Sequence, residues 1–263
     1  MNSFFIDLNN DISVINIWID NDISKVSLDR NGINQIFCML LTRGCKNYDN
    51  FAFSDYIDSF GAELIIEAYE DGISISLKSL KQYFHKLYPL LKALIEEPNL
   101  YEKEFIICKK YALDTIIKAK ENPFNKAFDN WKKETYNDHP YSNSSNGTKI
   151  NIDNLKYEDI LNEYKSFQKL NKFSLTNNTI YGTKNIQNFK QTITKKKFNL
   201  FSQSFINRKF KFIENYSNSK QTIMILGSQS CPHCHQDNLT LKILESYLSF
   251  GMSSLLFKTF REK

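Results

Sequence analysis

The sequence predicts an α+β fold in which helices cover a small sheet, and three features indicate it. Residues 14–19 combine β-branched side chains with a tryptophan, which is typical of a strand. Two more apolar stretches, residues 62–69 and 73–77, flank an Asp-Gly pair that suits a tight hairpin turn. Long helical patterns follow at residues 80–97 and 102–120. Strands set among clusters of helices favour an α+β layer.

The composition is that of a folded protein without a strongly charged surface. Of the 263 residues, 41% are hydrophobic and 14% are aromatic, and the net charge is +5. The densest basic cluster is residues 195–197, inside a polar stretch with an aromatic and basic run at residues 198–212. Because the net charge is mild, we interpret this run as a connector and expect no nucleic-acid partner.

The first residues and the cysteines bear on the compartment. Residues 1–7 show no basic start, long apolar core or small-residue cleavage site, so no signal peptide is predicted. No apolar run approaches the length of a membrane span, so no membrane partner is expected. Five cysteines without an export signal favour reduced thiols. The expected location is cytoplasmic, in a bacterial cell.

Residues 32–45 form the most informative stretch, an apolar helix expected to be closed by Gly44 after a basic last turn. Gln35, Cys38 and Met39 stand at i, i+3 and i+4, so they share one helix face. The inverted zinc-protease motif His-x-x-Glu-His needs that spacing, because two imidazoles one turn apart bind the metal and the glutamate polarises water. The spacing is present here, and the ligand chemistry is not.

The remaining elements follow from periodicity and from the Gly and Pro positions. A helix over residues 47–60 should bury an apolar stripe that includes Phe51, and Pro89 should bend the helix over residues 80–97. Further helices are predicted at residues 124–136, 157–167, 238–250 and 253–260, and further strands at residues 174–181 and 221–227.

Several short motifs recur at characteristic distances along these elements. Glycines bracket the helix with zinc-motif spacing, and a Gly-Ala pair opens the first strand of the hairpin. An Asn-Pro pair follows the long helix at residues 102–120. The motifs are Gly32 and Gly44, Gly61-Ala62, Asn122-Pro123, His139-Pro140-Tyr141 with Gly147-Thr148, Asp237, Gly251-Met252-Ser253-Ser254 and Arg261-Glu262-Lys263.

Together these motifs resemble the insulinase/pitrilysin family, which includes the mitochondrial processing peptidase and its bacterial relatives. The resemblance implies an antiparallel-rich mixed sheet covered by helices. It assigns residues 1–186 to a peptidase-like domain, residues 187–219 to a connector, and residues 220–263 to the start of a second, homologous domain. Active members of the family are zinc-dependent endopeptidases.

The chain departs from the family at the residues that carry its chemistry. Gln35, Cys38 and Met39 occupy the places of the two histidines and the glutamate, and Thr115 occupies that of the third zinc ligand. The asparagine usual on the active-site strand falls at Ile65. Amides and thioethers are not usual zinc ligands, and no glutamate remains to act as base. We therefore expect no catalytic zinc, no other cofactor and no peptide hydrolysis.

What the chain does in place of hydrolysis is also implied by the resemblance. Relatives often work as pairs in which one subunit carries zinc and the other helps to enclose the peptide. The leading hypothesis is such a non-catalytic subunit, paired with an active zinc-bearing homologous subunit and sharing its peptide substrate. Arg261 matches an arginine that binds the substrate backbone in relatives. Because the match stops early in the second domain, the alternative is a truncated or decayed fragment without independent function.

A third hypothesis comes from Cys231-Pro232-His233-Cys234-His235. Cys-x-x-Cys before a helix is typical of thiol-disulfide oxidoreductases, and Cys-x-x-Cys-His of covalent haem attachment. Cys231, His233, Cys234 and His235 could also bind a metal. The 29 residues that follow Cys234 (263 − 234) are too few for the rest of a thioredoxin fold. No export signal is predicted, so a plain loop is favoured.

Overall fold

The computed structural model describes residues 2–5, 11–20, 30–137, 139–169, 173–177, 222–228, 230–231 and 235–261. The chain divides into two compact units. Of the described residues, those up to 177 and residues 222–225 belong to the first unit, and residues 226–261 belong to the second. The predicted connector at residues 187–219 lies outside the described residues, as do the basic cluster and the aromatic run within it.

The first unit is built on a five-stranded mixed sheet with the order β1-β5-β2-β4-β3. β1 pairs with β5 in parallel, and the other neighbouring pairs are antiparallel. The predicted hairpin is present as β3 and β4, and β1 was not predicted. The strands are β1 (Asn2–Phe5), β2 (Ile12–Asp20), β3 (Glu63–Ala68), β4 (Gly72–Leu80) and β5 (Phe173–Asn177).

The central strands bury one face, because their side chains alternate in direction. Ile17 of β2 lies opposite Ile75 of β4, and both are almost fully buried. At the hairpin turn, Gly72 is needed for a steric reason, since a Cβ there would lie 2.4 Å from Trp18 Cζ2. Gly72 and Asp71 both have negative φ angles, so the pair does not use the left-handed conformations of a type I′ turn.

Seven α-helices and one 3-10 turn accompany this sheet among the residues described up to 177. The turn at Pro140–Ser142 follows α5. The helices are α1 (Ile33–Leu41), α2 (Asn50–Ser59), α3 (Lys81–Glu96), α4 (Glu102–Glu121), α5 (Pro123–Tyr136), α6 (Lys149–Asn154) and α7 (Tyr157–Lys169).

α1 is the central helix of the first unit, packed against β3, α4 and α7. Phe37 is completely buried, with its ring 5.2 Å from that of Phe167 in an edge-to-face contact. The helix ends at Leu41, earlier than predicted, and Arg43 follows it as part of a tight turn in which its N–H donates to the Leu40 carbonyl at 2.9 Å. Gly44 follows with φ 110°, so its left-handed conformation was predicted correctly while its position as the immediate cap was not.

α6 was missed because it is short, although Thr148 caps its N-terminus by accepting a hydrogen bond from the Asn151 N–H at 3.2 Å. Its C-terminus is held by Lys109 of α4. The Lys109 ammonium donates to the Asp153 and Leu155 carbonyls at 2.8 and 2.7 Å, satisfying oxygens that the helix end leaves free. These hydrogen bonds link α6 to α4, the helix that packs on α1.

Two predictions about apolar positions were wrong. Phe51 was assigned to a buried stripe of α2, but it is 85% exposed, whereas Phe53 and Ile57 of that helix are buried. A strand was predicted at residues 221–227, but the described residues 222–227 form no regular element. A β-strand needs a partner for its backbone groups, and the described residues supply none for this stretch.

The second unit contains α8 (Asn238–Ser249) and α9 (Leu255–Phe260), which pack against each other. Both were predicted. Gly251 connects them with φ 77°. Neither helix has a buried residue. In the part of the chain that the structure describes, no helix is long and apolar enough to cross a membrane.

Candidate functional site

The first feature of the candidate site is the N-terminus of α1, where the backbone at Gly32 lies close to the backbone at Gly147. Gly32 caps α1 with φ 95°, and Gly147 lies against it with φ 75°. A Cβ on Gly147 would lie 2.4 Å from the Asn31 carbonyl oxygen, and one on Gly32 would lie 2.6 Å from Ile152 Cδ1. Only glycine fits either position without displacement, so these two residues set where the helix face lies.

Gln35, Cys38 and Met39 do share a region of α1, but their environments differ. Cys38 is 3% exposed, and the other two side chains are partly buried. Burial raises the pKa of the Cys38 thiol to about 12, and the negative charge of Glu67 on β3 adds to the effect. The thiol is therefore neutral at pH 7, whereas a zinc ligand must be a thiolate.

Thr115 does not provide the missing ligand. It is exposed on α4, and its hydroxyl donates to the Tyr111 carbonyl at 2.9 Å in the same helix. A primary amide, a neutral thiol, a thioether and a hydroxyl do not match the donors that zinc takes in proteins. The residues at the four motif positions therefore do not fit a catalytic zinc. Among the described residues, no group of three or more His, Cys, Asp or Glu side chains could hold a metal ion.

Next to α1, β3 is the last strand of the sheet and alternates sharply in exposure. Glu63, Ile65 and Glu67 are exposed, and Leu64 and Ile66 between them are partly buried against the core. One edge of β3 pairs with β4, and no described strand pairs with the other. The backbone groups of that edge are available to a further strand, as at any sheet edge.

A shallow open groove of about 350 Å³ lies where α2 approaches the beginning of β3. Its floor is apolar and its rim carries carboxylates and hydroxyls. The groove could accept one side chain of a strand lying beside β3. It is lined by Thr42, Phe53, Ser54, Ile57, Asp58, Ala62, Glu63 and Leu64.

The turn after β3 is held by α5 and the segment that follows it. Glu70 forms an ion pair with Lys132 at 2.8 Å, and Asp71 accepts a hydrogen bond from the Tyr141 hydroxyl at 3.4 Å. His139 is 7% exposed and accepts the Tyr141 N–H at 3.1 Å on Nδ1, and burial lowers its pKa. These contacts give His139 a structural role in this segment.

Of the residues predicted as candidates in the second unit, the structure describes Arg261, His235 and Cys231. Arg261 is exposed, and its guanidinium lies 5.5 Å from the centre of the Phe257 ring. His235 Nδ1 is 3.5 Å from Asp237 Oδ2, and Cys231 is a partly exposed free thiol. Residues 232–234, which include His233 and Cys234, lie outside the described residues.

The carboxylates of β3 were not among the candidate residues predicted from the sequence. Glu63 and Glu67 stand four apart in a strand, so they share a face, and this alternation was visible in the sequence. What was not visible was the electrostatic influence of Glu67 on Cys38, because strand and helix meet only in the folded chain. Glu67 also accepts a hydrogen bond from the Tyr69 hydroxyl at 2.8 Å.

Comparisons with known proteins agree with this geometry. No protein-family model matches the chain. It is 26% identical over 147 residues to a protein of Helicobacter pylori (strain ATCC 700392 / 26695) named "Non-peptidase homolog YmxG", a match that covers 55% of this chain and 34% of that protein.

Solved structures resemble nearly the whole chain. A protease from Helicobacter pylori superposes with a TM-score of 0.74 at 16% identity, covering 97% of this chain and 64% of that one. A peptidase M16 inactive domain from Pseudomonas fluorescens superposes with a TM-score of 0.72 at 16% identity, covering 99% and 65%. The chain thus spans less than two thirds of each solved chain.

These likenesses establish the fold. The chain has the mixed α/β architecture of M16 inactive domains, and M16 is the peptidase family of insulinase and pitrilysin. The insulinase-like fold predicted from the motifs is confirmed. α1 carries Gln35, Cys38 and Met39, the residues that the resemblance implies for the zinc-motif positions.

Proposed function

We propose that this chain is a non-catalytic, M16-like subunit that pairs with an active zinc-bearing subunit and holds an extended peptide beside β3. The observation that carries the proposal is the contrast between the four motif positions and the strand next to them. The motif positions do not fit zinc, whereas β3 presents an unpaired edge and exposed carboxylates. The name of the Helicobacter pylori relative, a non-peptidase homolog, agrees with a role outside hydrolysis.

The edge of β3 supports peptide holding because an extended peptide can add to it as a further strand. Main-chain hydrogen bonds supply the affinity in this mode, and pockets for alternate side chains supply specificity. The groove next to Ala62 and Leu64 offers such a pocket. Glu63 and Glu67 add negative charge four residues apart along the same strand, and Glu63 already lies 3.8 Å from Lys78 Nζ. The favoured peptide therefore carries Lys or Arg opposite Glu67.

Peptide holding is tested with labelled extended peptides by fluorescence anisotropy, using basic, acidic and backbone N-methylated versions. The basic peptide should bind best, and N-methylation of the amides that face β3 should abolish binding, since a methylated amide cannot donate to the strand edge. Glu67→Gln should weaken binding by up to about fivefold, in the range of an exposed charge pair. Glu121→Gln, at the far end of α4, is the matched control and should have no effect.

Pairing is tested separately by co-expressing the chain with M16 peptidases encoded in the same genome. A stable complex with a zinc-bearing member, and higher peptidase activity in the complex than in that member alone, would support the pairing. If every such peptidase is purified from the co-expressing cells without this chain bound to it, the pairing is refuted. If the chain binds peptides but no peptidase subunit, peptide holding at β3 is supported and pairing with an active subunit is refuted.

The alternatives make different predictions. A decayed fragment would bind neither peptide nor partner, and a thiol-disulfide oxidoreductase would reduce insulin disulfides in a reaction that depends on Cys231. Cys231 is a partly exposed free thiol, and its predicted redox partner Cys234 lies outside the described residues.

A further inference from the structure

The groove between α2 and the beginning of β3 combines an apolar lining with a polar one. Phe53 and Ile57 of α2 are almost fully buried, and with Leu64 of β3 they supply the apolar part. Ser54 and Asp58 stand four residues apart on α2, so their exposed side chains are neighbours on the helix surface. The groove therefore suits a side chain that has an apolar stem and a polar end.

The charge at this end of α2 favours a cation. Asp58 lies in the last turn of the helix, and that turn contains no basic residue. The C-terminal end of a helix carries the negative end of its dipole, so a positive charge is stabilised there. No ion pair joins the Asp58 carboxylate to another described residue.

Two lysines lie close to the groove, and neither lines it. Lys78 Nζ is 3.8 Å from Glu63 Oε2, and both side chains are more than half exposed. Lys86 Nζ is 5.3 Å from the centre of the ring of Phe60, the C-cap residue of α2. Because no described lysine or arginine lines the groove, the charge of Asp58 is open to a cation that the bound peptide brings.

The position of the groove beside β3 fixes which residue of a bound strand reaches it. Residues opposite each other on neighbouring strands point to the same face of the sheet. Leu64 points to the helix-covered face and lines the groove, whereas Glu67 points to the exposed face. Positions 64 and 67 are three apart and strands pair residue by residue, so the peptide residues opposite them are also three apart, in either strand direction.

We propose that the groove binds a Lys or Arg side chain of the peptide residue opposite Leu64, with the alkyl stem on Ile57 and the charge beside Asp58. Long basic side chains bury their stems against apolar surface and keep the charge in water. Together with a basic residue opposite Glu67, this gives the preferred peptide the pattern basic-x-x-basic. The pattern rests on the proposed peptide holding at β3, and it specifies which peptides are held.

The first test compares lysine spacings by fluorescence anisotropy with the full chain and labelled extended peptides of one composition. The reference peptide carries Lys-x-x-Lys, and the matched peptides carry the two lysines two or four residues apart. At those spacings both lysines of a strand point to one face, so only one meets its carboxylate. The reference peptide should bind tighter by up to about fivefold, the range of one exposed charge pair.

A double-mutant cycle then identifies the lysine in the groove. Each lysine of the reference peptide is replaced in turn by norleucine, which keeps an alkyl stem and removes the charge. One replacement should weaken binding by up to about fivefold in the wild type and have no effect in Asp58→Asn. The other should lose its effect in Glu67→Gln. Asp55→Asn, exposed on the same helix but outside the groove, is the matched control and should leave both effects unchanged.

A second variant adds a cation to the groove without removing the carboxylate. Ser54→Lys places an ammonium one helical turn before Asp58 and should abolish the effect of the same norleucine replacement. If neither lysine depends on Asp58 in the cycle, the groove does not bind a basic side chain.

The spacing series separates the groove from peptide holding itself. If the three peptides bind equally, the basic-x-x-basic pattern is overturned and peptide holding at β3 still stands. If the peptide with lysines four apart binds best, the second lysine pairs with Glu63 on the exposed face and the groove is not its site. If none of the peptides binds, both the pattern and peptide holding are refuted.

Discussion

α1 and α8 are both apolar helices followed by a glycine in the left-handed conformation, but their surroundings are opposite. Six of the nine residues of α1 are buried, whereas none of the twelve residues of α8 is. α1 has a sheet strand and two helices packed on it, and α8 has α9. The spacing of apolar residues thus predicts a helix in both segments. How far each helix is buried depends on which other elements of the fold pack against it.

The largest expected effect is the loss of stability when a buried side chain of α1 is truncated. Phe37→Ala should lower the free energy of unfolding by about 3–5 kcal/mol, because it empties space in contact with Phe167 that the surrounding core fills only partly. Ile243→Ala in α8 should cost less than about 1 kcal/mol, because that side chain is already in water. Urea denaturation followed by circular dichroism measures both, and similar losses would contradict the contrast.

Cysteine labelling sharpens the same contrast. With a pKa of about 12, the Cys38 thiol should react with iodoacetamide on the order of 10³-fold more slowly at pH 8 than an ordinary thiol, and burial slows it further. Cys231, which is partly exposed, should be modified first. Mass spectrometry of timed samples measures both sites, and early modification of Cys38 would show that α1 opens readily.

The same thiol predicts a pH effect on stability. The folded-state pKa of Cys38 lies above the ordinary thiol value of 9.0. Its contribution to the free energy of unfolding is therefore fully present below about pH 9 and is lost as the pH rises towards 12. Between pH 9 and 11, unfolding free energy should fall more steeply in the wild type than in Cys38→Ala. Parallel slopes would mean that the native thiol titrates normally.

The glycines provide a smaller, closely matched test. Gly147 and Gly251 have similar φ angles of 75° and 77°, but only Gly147 has backbone atoms where a Cβ would go. Gly147→Ala should cost about 2–3 kcal/mol, from the left-handed conformation and the clash with Asn31. Gly251→Ala should cost about 1 kcal/mol, from the conformation alone. Equal losses of unfolding free energy, measured by thermal or urea denaturation, would show that the Asn31 backbone moves away from an added Cβ without strain.

The smallest expected effect is that of zinc. Adding zinc or a chelator should leave the melting temperature unchanged, because the four motif residues do not fit the metal. Metal analysis of the purified chain and of Cys38→Ala and Cys231→Ala checks this. If the chain contains stoichiometric zinc and Cys38→Ala loses it, α1 is a metal site after all. If Cys231→Ala loses it, the metal site lies in the second unit.

Much of the fold could be predicted from local patterns. β2, the hairpin of β3 and β4, and all the helices except α6 follow from periodicity and from Gly and Pro positions. Residues 222–228 carry a strand-like pattern but form no strand, because pairing depends on a partner that pattern alone does not reveal. Phe51 was misplaced for a related reason, since α2 buries the side of Phe53 and Ile57.

The candidate site divides in the same way. The sequence by itself determined that Gln35, Cys38 and Met39 stand at the zinc-motif spacing and which donor atoms they offer, because ligand chemistry belongs to the side chains. Only the tertiary structure brought Glu67 close enough to influence Cys38, left β3 at the edge of the sheet, and buried α1 while leaving α8 exposed. These features depend on contacts between segments far apart in the chain, and such contacts are set by the packing of the whole domain.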